Sequence, residues 1–455
     1  MRRSNTLLLD DNNLPGGAQM GASLPGNVVV VTRMINANTG NQALSSGLIE
    51  FLSSGAGVAS LRVLNRYPRR FESLNLDQFA QSQLLEAFDH HARGLISEQR
   101  PSANGHLAPE AGAFPVLLDR TGFEMPAALK SVKRAIGLRR NLAKLGIIGR
   151  DQIEQALNTC AWADLLILNP AGELHPTGSV DEVMRLMLLV RVAQLLGTRT
   201  AIINHSLEIA DQRLQAVVAH VYRHADLIAV REALSYNAAL SLGVAAERLI
   251  EAPDLVFLLA HPARSNIGAP EPIPTGAIGL AFNRQAAARG VDEWDELLIG
   301  LSKFGRPLVF VSNAMNHDHV FAQRLARRHP VQVISRQPSY EELIKLFGEM
   351  SLLVSSRLHA TILALGAGTP VATIEPEGFK LTGVMERLNY PLPTKNTRAP
   401  GWSKAVVANV RKGLEDRETL VAVGNAALDH ERRAIVQAYR AVFELATKAP
   451  QAAVS

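Results

Sequence analysis

From Asn27 to Ile374 short apolar runs alternate with segments of helical period. The runs fall at 27–32, 58–64, 164–169, 200–204 and 227–230, then at 277–282, 308–311, 331–334, 352–354 and 371–374. They are too short for helices and lack in-and-out alternation, as expected of strands covered on both faces. Helical spacing fills the gaps over 42–52, 180–196, 212–224, 231–240, 293–303, 317–327 and 340–347. A small-residue helix follows Ser355-Ser356 and stops near Gly366 and Gly368, and another ends at Leu388. Strand and helix in repeated alternation predict α/β folding with parallel sheets, ligands sitting at the carboxyl ends of the strands. No element is predicted in the weakly periodic stretch 66–120.

Punctuation divides this pattern in two. Pro262, Pro270, Pro272, Pro274 and Gly268 mark a linker. The predicted organisation is a disordered Asn/Gly/Ser-rich leader at 1–26, an N-terminal α/β domain at 27–262, a Pro-rich linker at 263–275, a C-terminal α/β domain at 276–402, and a helical region at 403–455 packing back across both domains.

Composition narrows the class. A chain of 455 residues with 47% hydrophobic and 20% charged residues can bury a core without staples, and its single Cys160 forms no internal disulfide. Cys160 lies among Ala161, Trp162 and Ala163 and reads as a small buried hydrophobe. No Cys/His cluster has zinc spacing, and nothing calls for a metal. No signal peptide or membrane-spanning run is found, so a cytoplasmic location is expected. The net charge of +5 suits anionic ligands without arguing for nucleic acid. Seven basic residues between Met125 and Arg150 (Lys130, Lys133, Arg134, Arg139, Arg140, Lys144 and Arg150) are uninterrupted by acids. They predict either a solvated surface helix or peripheral contact with the inner membrane face.

Chemistry concentrates where cations stand at helix starts. Arg357 and His359 fall in the expected first turn after Ser356, where a cation costs about 0.3–1 kcal/mol. A bound anion would explain them, because exposed N–H groups, an Arg fork and an imidazole converge there. An interdomain ion pair beside a structural His is the competing reading. Arg231 repeats the anomaly, with Ser235 four residues on, and an ion pair with Glu232 or Asp226 competes there too. The turn Asn38-Thr39-Gly40-Asn41 follows the first strand; with one glycine it is no dinucleotide fingerprint, and no Walker A loop occurs. Strand-end loops expected to line a cleft hold Gly172-Glu173-Leu174-His175 and Asn204-His205-Ser206. His317 and His319 beside Asp318 read as helix capping and surface.

Two blocks carry a resemblance. Ser-Ser-Arg-Leu-His-Ala at 355–360, with Gly368-Thr369-Pro370-Val371 and Lys380 after it, resembles the polysaccharide pyruvyl transferase family. So does Arg231-Glu232-Ala233-Leu234-Ser235, running through Leu242-Gly243-Val244 to Pro253-Asp254. The family has an Asp near the position of Asn41, and a glycine-rich stretch where Pro170-Ala171-Gly172 stands. The resemblance implies two Rossmann-like domains facing across a cleft in the GT-B manner. It also implies transfer of an enolpyruvyl unit from phosphoenolpyruvate to a sugar of a surface polysaccharide or its lipid-linked precursor, forming a pyruvate ketal. Phosphoenolpyruvate is then a substrate, and no cofactor is expected. By resemblance Arg357 and His359 clamp phosphate, His359 doubling as proton donor, and Glu173 is the candidate base. Arg231, Lys380, Ser356, Ser235, Asn38, Gly40, Asn41 and His175 contact substrate. The alternatives are a nucleotide-sugar glycosyltransferase with Glu375 or Glu377 on a ribose, and a non-catalytic binder of anionic glycans.

Overall fold

A computed structural model describes residues 26–32, 38–52, 60–65, 81–98, 153–176, 178–264, 268–283, 292–315 and 318–447. The leader up to Pro25, the basic segment 130–150 and His317 lie outside the described residues.

The first half forms a six-stranded parallel sheet. Its elements are β1 (Asn27–Thr32), α1 (Thr39–Glu50), β2 (Ser60–Asn65), α2 (Gln81–Glu98), α3 (Ile153–Trp162), β3 (Leu165–Leu168), α4 (Val180–Leu195), β4 (Arg199–His205), α5 (Gln212–Arg223), β5 (Leu227–Val230), α6 (Ala233–Ser241) and β6 (Leu249–Glu251). The strand order is β2-β1-β3-β4-β5-β6. The second half gives β7 (Ile278–Ala281), α7 (Asp292–Ser302), β8 (Leu308–Phe310), α8 (Asp318–Ala326), β9 (Val331–Val333), α9 (Tyr340–Gly348), β10 (Leu352–Ser355), α10 (Leu358–Gly366), β11 (Val371–Glu375), α11 (Lys380–Arg387) and β12 (Lys395–Asn396). These strands order as β12-β11-β10-β7-β8-β9, again all parallel. Two helices close the chain, α12 (Trp402–Glu415) and α13 (Arg417–Thr447).

The unbroken apolar runs are strands covered by helices on both faces: β3, β5, β7 and β10 are buried along their whole length. The weakly periodic stretch contains α2, whose Leu84, Phe88, Ala92 and Leu95 pack into the first core. Cys160 is fully buried, and burial pushes its thiol up to about 12.

Each sheet reverses its strand order at one place, the kind of switch point at which open α/β sheets bind ligands. In the first sheet this lies between β1 and β3, in the second between β7 and β10. The halves are keyed together at these ends. Thr39 N–H donates to Asn313 O at 3.0 Å and Thr39 Oγ1 to Pro338 O at 2.8 Å. α13 returns over both halves: Glu431 accepts from Arg387 Nε at 2.8 Å, while Nη1 of the same arginine reaches Glu251 at 2.5 Å. Among the described residues no helix is long and apolar enough to cross a membrane.

Candidate active site

The motif at 355–360 leaves β10 beside β7. Asn283, just past the end of β7, donates its N–H to Ser356 Oγ at 2.9 Å and its Nδ2 to Ser356 O at 3.3 Å. Neither serine caps α10. The N-cap is Arg357, in extended backbone, with its N–H on Ser355 Oγ at 3.0 Å, so the guanidinium stands before the helix and only His359 lies in its first turn. The expected serine cap fails because both hydroxyls are engaged by the strand ends and the turn itself.

Arg357 pairs through Nη2 with Asp318, a fully buried carboxylate at the start of α8, while Nε has no hydrogen-bond partner among the described residues. Asp318 is thus an internal anchor of the motif. His359 is clasped from the other half of the molecule. Its Nε2 lies 3.4 Å from Asp254 Oδ2, and a Cβ at residue 40 would collide with its imidazole. Gly40 is therefore required by close approach in the first turn of α1, capped by Asn38 with Oδ1 on Gly40 N–H at 3.0 Å.

Arg231 is not part of a helix. Glu232 is the N-cap of α6, which places Arg231 at the end of β5. Its guanidinium is 2% exposed; Nη1 donates to Asp254 Oδ2 at 2.7 Å and Nη2 to Ser206 Oγ at 2.9 Å. The partner is Asp254, not the adjacent Glu232 or nearby Asp226. Asp226 instead accepts Thr200 N–H at 2.8 Å and pairs with Arg199. Burial alone would raise the Asp254 pKa, but His359, then Arg231 and the Val256 N–H, hold it well below the usual carboxylate range. Ser235 is fully buried, accepting Leu207 N–H at 2.7 Å and bonding Glu232. It shapes the 206–208 loop. Burial pushes Glu232 up to about 7 despite Arg231 and the two serines beside it.

These supports surround a small cleft between the two halves. From the first half it is lined by Leu174, His175, Pro176, Ser206 and Glu208; from the second by Asn283, Glu377, Gly378 and Lys380. Lys380 opens α11 and is partly exposed; no hydrogen bond or ion pair holds its ammonium among the described residues. Burial, Arg231 and Arg357 depress its pKa, against Glu375 and Glu208. His175 is held at about 4 by burial and by Lys380, so it is neutral near pH 7. Glu375 is buried, with Oε2 accepting the Leu381 and Thr382 N–H groups at 2.7 and 3.1 Å.

Of the residues singled out in the sequence, His175 and Lys380 line the cleft directly. Ser356 is tied to the cleft-lining Asn283, while Arg357, His359 and Arg231 are not among the lining residues. Asn38, Gly40 and Asn41 form the capped start of α1 against His359, and Asn41 is buried. Glu173 is buried beneath the loop and is not among the cleft-lining residues. Sequence reasoning named the 204–206 loop and Pro253-Asp254 but not Glu208, Asn283 or the roles of Asp254 and Asp318. A further signal is the backbone of Asn204, a fully buried residue at φ 61° where β4 bulges against β5.

Comparison with known proteins adds the following. The family model for polysaccharide pyruvyl transferase matches residues 38–378. No curated protein sequence matches the chain. Among solved structures the chain is similar to the trehalose-6-phosphate synthase OtsA, at 12% identity and a TM-score of 0.51, over 93% of this chain and 100% of that one. It is also similar to a Listeria monocytogenes protein assigned as a UDP-N-acetylglucosamine 2-epimerase, at 10% identity and a TM-score of 0.51, over 92% and 95% of the two chains. These likenesses establish the GT-B fold.

Proposed function

The chain belongs to the polysaccharide pyruvyl transferase family, and from that premise we propose that it transfers an enolpyruvyl unit from phosphoenolpyruvate to a sugar of a surface polysaccharide or its lipid-linked precursor, leaving a pyruvate ketal. The observation that carries the donor reading is Lys380, an ammonium without a partner among the described residues, facing the cleft with Arg357 and Arg231 close enough to depress its pKa. Gathered cations of this kind are relieved by an anion with phosphate and carboxylate groups. Lys380 contacts the donor phosphate, aided by the N-terminus of α11, where anions bind well. Arg357 keeps Asp318 on one side and offers its free Nε toward the donor; His359, with Nε2 3.4 Å from the Asp254 carboxylate, protonates the methylene carbon. Arg231 acts through its field and as the brace of Asp254 rather than by contact, since it is buried. Asn283 and Ser206 orient the bound groups by hydrogen bonding. Residues 27–262 supply the acceptor side and 276–402 the donor side.

The nucleotide-sugar alternative loses one of its two carboxylates, because Glu375 is committed to the first turn of α11. The test is to follow inorganic phosphate release and melting temperature with phosphoenolpyruvate and a panel of free and lipid-linked sugars. Phosphoenolpyruvate should raise the melting temperature by mass action and UDP- or GDP-sugars less. Tight binding of a nucleotide sugar with no response to phosphoenolpyruvate sinks the reading.

A further inference from the structure

Ketal formation must remove two hydroxyl protons from the acceptor, so the cleft needs a base. His175 lines the cleft, but with its pKa held at about 4 it is a weak one. His359, beside Asp254, is already taken as the proton donor in the reading above. Glu173 is not among the cleft-lining residues, and Glu375 is spent on α11 amides. The cleft-lining carboxylates are Glu208 and Glu377.

Glu208 is the better placed of the two. It sits on the loop after the bulged end of β4, with its N–H on Leu174 O at 3.0 Å, which ties that loop to the one carrying His175. Its carboxylate lies over Gly378, where any Cβ would strike Oε2, and accepts the Phe379 N–H. One carboxylate from the first half is thereby pinned against the backbone that leads into Lys380. We propose that Glu208 is the general base that takes the first acceptor-hydroxyl proton, an assignment that rests on the pyruvyl-transfer reading above.

The groups facing it are His175 from the neighbouring loop, Glu377 and Lys380 from the segment entering α11, and Arg398 beyond. Burial and Glu377 raise its pKa above that of an ordinary glutamate, while Phe379, Lys380 and Arg398 limit the rise. A carboxylate so tuned is a stronger base, closer to the operating pH. In the step, the first hydroxyl O–H breaks and its proton goes to Glu208 while the oxygen pair forms the bond to C2. The C2=C3 pair takes a proton from His359 at C3, making the methyl group. The bond from C2 to the phosphate oxygen then breaks, its pair leaving with phosphate, and the second hydroxyl bonds to C2. The proton held by Glu208 restores His359, and the second hydroxyl proton departs on hydrogen phosphate. No oxidant or further reactant is needed.

The test uses the full chain, Glu208→Gln and Glu208→Ala, phosphoenolpyruvate and the sugar panel. Glu208→Gln should keep the melting shift with phosphoenolpyruvate and lose phosphate release by at least about a hundredfold. The acid limb of its rate profile should vanish, and added formate should restore part of the turnover of Glu208→Ala. Turnover within about threefold of wild type in either variant overturns the assignment, as does loss of donor binding with turnover, or a loss that formate leaves untouched. Failure of the underlying reading shows instead in the wild type, as no donor shift and no phosphate release with any sugar, and removes both.

Discussion

Gly40→Ala is a small change whose effect depends on one other side chain. Residue 40 lies in the first turn of α1 without a positive φ, so the backbone accepts alanine, and the replacement alone should gain about 0.5–1 kcal/mol of helix propensity. The new methyl group, however, would overlap the His359 ring and Cβ, on an element docked 319 residues later in the chain. Overpacking of this kind costs about 1–3 kcal/mol. The single variant should therefore be near neutral or up to about 2.5 kcal/mol less stable by urea unfolding, and its turnover should fall because the imidazole is driven from Asp254. With His359→Ala the obstacle is gone, and the same glycine replacement should stabilise by about 0.5–1 kcal/mol. The double-mutant cycle then yields a coupling of about 1–3 kcal/mol. A coupling below about 0.5 kcal/mol would show that the ring does not rest on Gly40 and would refute the packing of the two halves described above.

Three further outcomes follow from the buried charges. Arg231→Ala strands Asp254 and should cost about 3–5 kcal/mol, largely recovered by adding Asp254→Asn. Arg357→Ala removes the ion-pair partner of the buried Asp318, so it should lose stability as well as donor affinity, whereas an anomalous helix-start cation alone would predict unchanged or slightly raised stability; paired melting and donor titration separate the two. Glu232 has a folded pKa of about 7, above its unfolded value, so the folded state holds the extra proton between about 4.5 and 7 and stability falls as pH rises through that window. Glu232→Gln should flatten this dependence, by up to about 1.4 kcal/mol for each pH unit removed; an unchanged slope from urea unfolding across pH 5–8 would contradict the burial argument.

The α/β class and the two specific blocks could be read from the chain because they are local. A strand covered on both faces must be apolar throughout, so the runs at 27–32 and 227–230 coincide with β1 and β5 to the residue. α2 escaped notice because its buried stripe is about one residue wide per turn, and β6 and β12, of three and two residues, exist by pairing with β5 and β11 rather than by pattern. The cation anomalies were read with the wrong local geometry, since Arg357 caps α10 and Arg231 ends before α6 begins. What tertiary structure alone decided is whom those cations meet. Arg357 finds Asp318 across 39 positions, Arg231 finds Asp254 across 23, and His359 is held between Asp254 and Gly40 of the other half. Helical and strand periods reach only a few residues, whereas a buried charge takes its partner from whatever the packed halves bring within hydrogen-bonding distance. Glu208 gave no signal in the sequence for the same reason: a lone glutamate after a strand becomes a cleft carboxylate only when Gly378 and Lys380 are folded against it.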